Sequence, residues 1–187
     1  MQYQVPISDL RFLLFDLLGV DELQQLDKYA EATPDLIVTI LEEMGKFAAE
    51  VIQPTNKIGD QQGCSYDPTT HAVTTPDGFR EAYRQFAEAG WTALDAPVEF
   101  GGQGLPHVLK FIVDEIVCSS NLSLGMYPGL THGAISAIYT HGSPELQQTY
   151  LQKLVSGEWT GTMCLTEPQC GTDLGLIRTR ATPNDDG

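Results

Sequence analysis

Trp159-Thr160-Gly161-Thr162-Met163-Cys164-Leu165-Thr166-Glu167-Pro168-Gln169-Cys170-Gly171-Thr172-Asp173-Leu174-Gly175-Leu176 is the stretch around which the chain is organised. It opens as a strand: Thr160, Thr162, Leu165 and Thr166 are β-branched or apolar, and no helical spacing is present. Pro168 has no N–H to give to a ladder and ends regular pairing. Gly171 permits a turn that a side chain would obstruct. A strand that empties into Gly171-Thr172-Asp173 gathers free N–H groups and a hydroxyl in one place, and oriented N–H groups stabilise phosphate oxygens. On composition alone the same residues make a strand followed by a capped turn.

The chain has 187 residues, enough for one domain with a sizeable core. Apolar residues make up 42% and charged residues 19%, as in ordinary globular proteins. The formal net charge of −15 disfavours nucleic acid, whose phosphates it repels. Any anionic ligand must therefore be met by a local site working against the global field. Cys64, Cys118, Cys164 and Cys170 have neither metal-site nor redox spacing, which reads as a reduced, cytoplasmic setting. The start lacks the positive region of a secretory signal. The most apolar run, Phe12 to Val20, is broken by Asp16 and too short to span a bilayer.

Helical signals fill the first 157 residues. Ser8 or Asp9 caps a helix to about Leu18, with Ile7, Leu10, Leu14 and Leu17 on one face and Phe12, Leu13, Phe15 and Leu18 widening the stripe. Gly19 ends it, and a second helix from Asp21 buries Leu23, Leu26 and Tyr29 or Ala30. Thr33-Pro34-Asp35 starts a third, running to about Ile52 with Pro54 closing it. Residues 54–78 lack a helical period and are read as a long excursion with a small hairpin near His71-Ala72-Val73-Thr74. Pro76 or Asp77 starts the next helix, which ends at Gly90.

Gly101-Gly102-Gln103-Gly104 lacks the Lys-Ser/Thr of a phosphate loop and reads as a tight turn ahead of the helix that begins at Pro106. That helix buries Leu109, Ile112, Val113, Ile116 and Val117. Residues 121–129 read as a break, followed by a helix from about Leu130 to His141 with Ala134, Ile135 and Ile138 inward. Ser143-Pro144-Glu145 caps a last helix whose inner face is Leu146, Tyr150, Leu151 and Leu154. His71, His107, His132 and His141 read as loop or polar surface residues, none as a metal ligand. After Gly175, residues 177–182 alternate as a second strand, and 183–187 form a turn. Two strands alone are not a stable sheet, so the order is a helical region followed by the opening of a β-region, and the chain reads as a fragment.

Cys164-Leu165-Thr166-Glu167-Pro168-Gln169-Cys170-Gly171-Thr172-Asp173 closely resembles the flavin-binding signature of acyl-CoA dehydrogenases. Gly90-Trp91, followed by Pro97-Val98-Glu99-Phe100-Gly101-Gly102-Gln103-Gly104-Leu105, is a second match, and Asp114-Glu115 is similar to an acidic pair of that family. Two positions depart: Cys170 stands where a Gly, Ala, Ser or Asn is usual, and Leu176 where a small residue is usual. The opening from Tyr3 to Leu13 resembles the additional amino-terminal segment of larger bacterial members, which act on fatty acyl-CoA or 3-(methylthio)propanoyl-CoA esters.

The resemblance implies a mainly α fold, an amino-terminal helical domain over 1–157 followed by the first strands of a central β-domain over 158–187. It implies FAD as cofactor, an acyl-CoA substrate undergoing α,β-dehydrogenation, an electron-transfer flavoprotein as acceptor, and a homo-oligomer. Leu165 and Thr166 would then contact the isoalloxazine, and Gly171 and Thr172 the pyrophosphate. Met126 and Tyr127, with Thr172, would serve the substrate. The family's catalytic carboxylate lies in a carboxy-terminal bundle, so no catalytic residue is assigned here, and Glu167 is a turn residue. An oxidase or flavin monooxygenase on the same scaffold is an alternative. A non-catalytic docking or dimerisation module, using the stripe from Ile7 to Leu18, is another.

Overall fold

The Thr33 hydroxyl accepts a hydrogen bond from the Leu36 N–H (3.2 Å), and Pro34 occupies the first turn, so α2 (Pro34–Phe47) begins where the sequence places it. The computed structural model describes residues 3–184; the first two residues of the opening arm and the last three of the expected closing turn lie outside them. Before α2, the chain forms α1 (Ile7–Arg11), which runs on as a π turn over Phe12–Leu17. Only Leu10 and Leu14 of its broad stripe are buried; Phe12, Leu17 and Leu18 are each more than half exposed. The helix expected from Asp21 is instead two 3₁₀ turns, Val20–Gln25 and Asp27–Tyr29, separated by Leu26 in extended conformation. Leu26 is 53% exposed, so no burial offsets the cost of continuing a helix through it.

The helical run that α2 begins does not stop at Ile52, and residues 54–62, expected to be part of a long excursion, are helical. A π turn over Ala48–Ile52 resets the hydrogen-bond phase, the Gln53 N–H bonding to the Ala48 carbonyl, and α3 (Gln53–Gln62) follows. Pro54 thus falls in a first turn, where a missing N–H costs little. The expected hairpin is present as β1 (Ser65–Tyr66) and β2 (Val73–Thr74), antiparallel, with Ser65 opposite Thr74. The Tyr66 hydroxyl and His71 Nδ1 meet at 2.6 Å across it.

α4 (Phe79–Glu88), α5 (His107–Ser120), α6 (Leu122–His141) and α7 (Pro144–Val155) complete the helical body. The five residues assigned to the core face of α5 are all buried, and the Ser143 hydroxyl caps α7 as expected. Leu151, Leu154 and Val155 carry the buried face of α7, whereas Leu146 and Tyr150 point outward, a correction to the expected phase. The break expected over 121–129 is also corrected. Asn121 alone is non-helical, and its side chain caps α6 by accepting from the Leu124 N–H (3.2 Å). α6 then runs through Pro128, because packing against α5 outweighs local propensity. Gly125 allows the approach, since a Cβ there would meet Cys118 Sγ at 2.7 Å.

The larger core joins α1, α2, α4 and α5; a second cluster of Ala93, Ala96, Ile135, Leu151, Leu154 and Val155 seats α7 on α6. The mainly helical reading stands. The two closing strands do not: residues 159–166 and 177–182 have no regular secondary structure, and among the described residues the bridge there joins Glu167 to Cys170. Alternation supplies strand propensity, but among the described residues no partner offers a ladder. No helix among the described residues is long and apolar enough to cross a membrane.

Asn121 is 2% exposed, and its Nδ2 donates to Thr55 Oγ1 (2.8 Å), tying the α5–α6 junction to α3. Asn121→Ala removes a cap and this buried hydrogen bond together, and is expected to cost about 2 kcal/mol. A urea titration of the full-length protein followed by far-UV circular dichroism checks this; an unchanged midpoint would show that the junction does not depend on Asn121.

Candidate functional site

The end of α7 delivers the chain to the site. Gly157 has φ 75°, a value that favours glycine, and a Cβ there would press on Ala87 at 2.9 Å. Its carbonyl accepts from the Tyr83 hydroxyl (3.1 Å), and the Val155 carbonyl from the buried Thr92 hydroxyl (2.9 Å). Trp159 then folds back under Lys153, whose ammonium sits 4.3 Å from the ring centroid. Gly161 lies against α6: its N–H donates to Thr131 Oγ1 (3.1 Å), and a Cβ would meet Ala134 at 2.8 Å and the Leu130 carbonyl at 3.1 Å. Only a glycine allows this segment to lie on α6 at this distance.

Leu165 and Thr166 follow on the same run, both exposed. The chain then turns through Pro168, closed by Glu167 N–H to Cys170 O (2.9 Å) and Cys170 N–H to Glu167 O (3.1 Å). Cys170 is buried beneath the turn rather than displayed on it. At Gly171 a Cβ would stand 3.3 Å from Thr166 Cγ2, so a side chain would crowd the turn as expected, although the φ of Gly171 is not positive. Among the described residues the N–H groups of Gly171 and Thr172 meet no acceptor. Thr166, Gly171 and Thr172 therefore leave two hydroxyls and two N–H donors available around a single turn, a neutral donor set suited to phosphate oxygens.

Glu167 holds this turn to the chain that follows. Its carboxylate accepts from the Thr179 hydroxyl (2.6 Å), the Arg178 N–H (3.0 Å) and the Thr179 N–H (2.8 Å), with Gln169 Nε2 as a further donor. The Thr179 hydroxyl and then the two backbone N–H groups push its pKa down to about 2. A carboxylate so occupied is a poor proton acceptor, in keeping with a turn role.

Beside this segment, α3, α4 and α6 and the approach to α4 line a largely apolar, half-open cavity of about 500 Å³, walled by Phe79, Tyr83, Leu124 and Tyr127 with Arg80 and Ser123 among the polar groups. Tyr83 and Tyr127 meet edge to face at 4.9 Å, and burial followed by the neighbouring Tyr127 pushes the Tyr83 pKa up. The Tyr127 hydroxyl reaches Thr160 Oγ1 at 3.5 Å, joining the cavity wall to the segment that leads to Leu165. Met126 is two-thirds exposed and does not line the cavity. Arg84 is taken up by Glu81 and Glu88, whereas Arg80 has no carboxylate partner among the described residues.

The Gly101–Gly104 turn is not an anion cradle. Its N–H groups are spent internally: Gly102 to Pro97 O, Gln103 to Ala93 O, Gly104 to Ala96 O. A Cβ at Gly102 would fall 1.9 Å from the Ala96 carbonyl, so the loop closes only on glycine. The loop fixes Asp95, which sequence spacing did not single out. Burial raises its pKa, but hydrogen bonds from His132 and then His107 outweigh this and leave it lowered. Partners 12 and 37 residues away leave no local pattern that would have marked it.

Residues 37–158 match the family model for the acyl-CoA dehydrogenase N-terminal domain. The chain therefore belongs to the acyl-CoA dehydrogenase family. Over its full length it is 42% identical to a 3-methylmercaptopropionyl-CoA dehydrogenase of Ruegeria pomeroyi, covering 32% of that relative. Over 98% of its length it is 33% identical to a butyryl-CoA dehydrogenase of Syntrophomonas wolfei, covering 30% of it. The chain thus spans about a third of the length of these relatives. Among solved structures, one described as the electron transferring flavoprotein of Acidaminococcus fermentans superposes with TM-score 0.67 at 25% identity, over 82% of this chain and 37% of that one. A steroid acyl-CoA dehydrogenase structure, Tcur3481-Tcur3483, shares the fold with TM-score 0.56 at 23% identity, over 79% of this chain and 36% of that one.

The folded pKa of Glu167 lies below the roughly 4.3 of a free Glu, so its tie is at full strength above that value and is lost as pH falls toward about 2. Protection of the Arg178 and Thr179 amides against hydrogen exchange is expected to fall across this window, and Glu167→Gln to flatten the dependence. Protection factors that stay constant through it in the wild type would remove Glu167 from this role.

Proposed function

We propose that the chain supplies the amino-terminal helical part, residues 1–157, and the entry to the β-domain, residues 158–187, of an FAD-dependent acyl-CoA dehydrogenase of the cytoplasm. The observation that carries the reading is the Gly171–Thr172 turn with its free N–H groups, linked through Thr160 and Tyr127 to an apolar cavity. The residues fit the cofactor: a side chain at Gly171 would crowd Thr166, and the donors there are neutral and unclaimed. Gly171 and Thr172 would hold the pyrophosphate, and Leu165 and the Thr166 hydroxyl would lie at the isoalloxazine. FAD supplies the hydride acceptor for the reaction.

The chain's own residues do the positioning. Tyr83, Phe79, Leu124 and Tyr127 exclude water from an acyl chain, and that dry wall lowers the polarity around the thioester. Arg80 is the cation placed to meet an anionic group of the coenzyme A moiety. Thr172 is the residue shared between cofactor and substrate, and Met126 sits on the exposed side of α6, outside the cavity. The acid–base carboxylate comes from outside this chain, so the 187 residues alone are expected to turn over no substrate. The likeness to the Acidaminococcus fermentans structure supports an electron-transfer flavoprotein as acceptor. Similarity to enzymes of 3-methylmercaptopropionyl-CoA and butyryl-CoA supports an acyl-CoA thioester as substrate.

A homo-oligomer contact is the second element of the proposal, favoured by the α1 face. Phe12, Leu13, Leu17 and Leu18 are exposed together on one short helix, and such a patch suits burial against a second subunit.

The full-length protein is expected to show a flavin spectrum that bleaches when an acyl-CoA is added without oxygen. Thr166→Val keeps the side-chain volume and removes the hydroxyl, and is expected to slow bleaching about tenfold with FAD retained. Glu167→Gln is expected to leave turnover largely intact. A protein that takes up no FAD would defeat the dehydrogenase reading and leave the docking reading; loss of turnover in Glu167→Gln with FAD bound would show that the carboxylate does more than close a turn.

A further inference from the structure

Asp95 sits in a loop locked on both sides by backbone hydrogen bonds, Gln103 N–H to Ala93 O (2.8 Å), Leu105 N–H to Leu94 O (2.9 Å) and Gly104 N–H to Ala96 O (3.0 Å). Two histidines converge on it from different helices. His132, in α6, places Nε2 2.9 Å from Asp95 Oδ2, and His107, at the start of α5, directs Nδ1 to the same oxygen. The two rings are stacked with centroids 5.2 Å apart and planes 18° from parallel. One ligating atom from each of the three residues lies within 4.8 Å of the others. The Asp95 side chain is 8% exposed, and its second oxygen, Oδ1, is buried with no hydrogen-bond partner.

We propose that Asp95, His107 and His132 form a binding site for a divalent transition cation, with Zn²⁺ the best match to the donors. Two imidazoles and one carboxylate are the ligand set that suits zinc and its neighbours, and three protein ligands leave a position for water. The orphaned Oδ1 is the independent sign. A buried carboxylate oxygen without a donor is costly, and a cation bound by the carboxylate relieves that cost. The overall charge of −15 also attracts cations. In the adjacent cavity of about 230 Å³, Lys28 and Glu99 carry opposite charges.

Both ring nitrogens hydrogen-bond to Oδ2, and His132 Nε2 at 2.9 Å stands closer to it than zinc ligands stand to one another. Tetrahedral zinc with bonds near 2.0–2.1 Å sets its donors roughly 3.4 Å apart. The His132 ring must therefore move outward by about 0.5 Å, and the half-exposed His107 side chain is free to adjust with it. Each ring nitrogen takes the cation through its lone pair, so each imidazole must carry its proton on the other ring nitrogen when the cation is bound. The bound ion would staple the Asp95 loop to the start of α5 and the middle of α6, the helix that also carries Tyr127 and Thr131. Its role is to stiffen that support, separate from the cavity and the flavin turn.

The test is calorimetric titration of ZnCl₂ into chelator-treated full-length protein, beside thermal melts with and without Zn²⁺. One equivalent is expected to bind per chain and to raise the Tm. Outer partners of metal ligands are worth 10–100-fold in affinity, so loss of a ligand in Asp95→Asn or His107→Gln is expected to weaken binding by about 100-fold or more. His107→Gln is the safer variant, because the side chain is half exposed and its fold is checked by circular dichroism. Absence of binding in the wild type, or binding of equal affinity and an equal Tm shift in folded His107→Gln, would overturn the proposal.

Discussion

The buried hydrogen bond from Asn121 to Thr55 is the constraint on which the geometry of the site rests. Thr55 in turn donates to the Ile52 carbonyl (2.6 Å), at the end of the π turn between α2 and α3. Asn121 N–H bonds to the Val117 carbonyl at the close of α5, and its side-chain oxygen opens α6. One residue with one non-helical conformation therefore sets the angle between two helices and pins both to a third. A polar network in a 2–5%-exposed setting is costly if incomplete, so it specifies this junction and penalises slippage. Everything presented by α6 inherits its direction: Tyr127 at the cavity, Thr131 under Gly161, His132 at Asp95.

The segment that leaves α7 is read by that surface. Gly157 and Gly161 are both places where a Cβ would collide with a helix, one with α4 and one with α6. Between them the chain is threaded along the bundle with no ladder of its own. Docking through one N–H to Thr131 and one Tyr–Thr contact is enough to direct it, because the backbone lies against the helix rather than above it. This is why a run without strand partners still brings Leu165 and Thr166 to a defined place.

Local signals were legible in the sequence where their physics is local. Thr33-Pro34 and Ser143-Pro144 act within one turn, and the α5 core face is a plain periodicity. The continuation through Pro54 was not legible, because it depends on a π turn whose hydrogen bonds leave no mark in composition. Residues 121–129, which hold Gly125 and Pro128, read as a break; what carries the helix through them is contact with α5, a long-range effect. The exposed Leu146, Tyr150 and Leu17 show the reverse limit, since periodicity locates a stripe and cannot say what covers it. At the turn, Gly171 was legible as a place where a side chain would obstruct the chain, but the Thr166 methyl that a Cβ would crowd is visible only in the fold. Asp95 carried no signal, because its significance lies in two histidines that only the fold brings near.

Glu167 and Asp95 show how burial and donors, more than residue type, divide the work of acidic groups here. Glu167 lies next to the flavin-like turn, where a base would be sought, yet four donors already engage its carboxylate and hold it ionised far below neutrality. Every lone pair committed to Thr179, Arg178 and Gln169 is one that an incoming proton must displace, so proximity confers no basicity. Asp95 is more buried and has fewer partners, and one of its oxygens has none. An ionised group in that state retains unspent capacity to bind, and the two imidazoles beside it are soft enough for a transition cation to complete the set. The same chain thus uses one carboxylate to close a turn and leaves the other open to a ligand, and the distinction is visible only once the donors around each are counted.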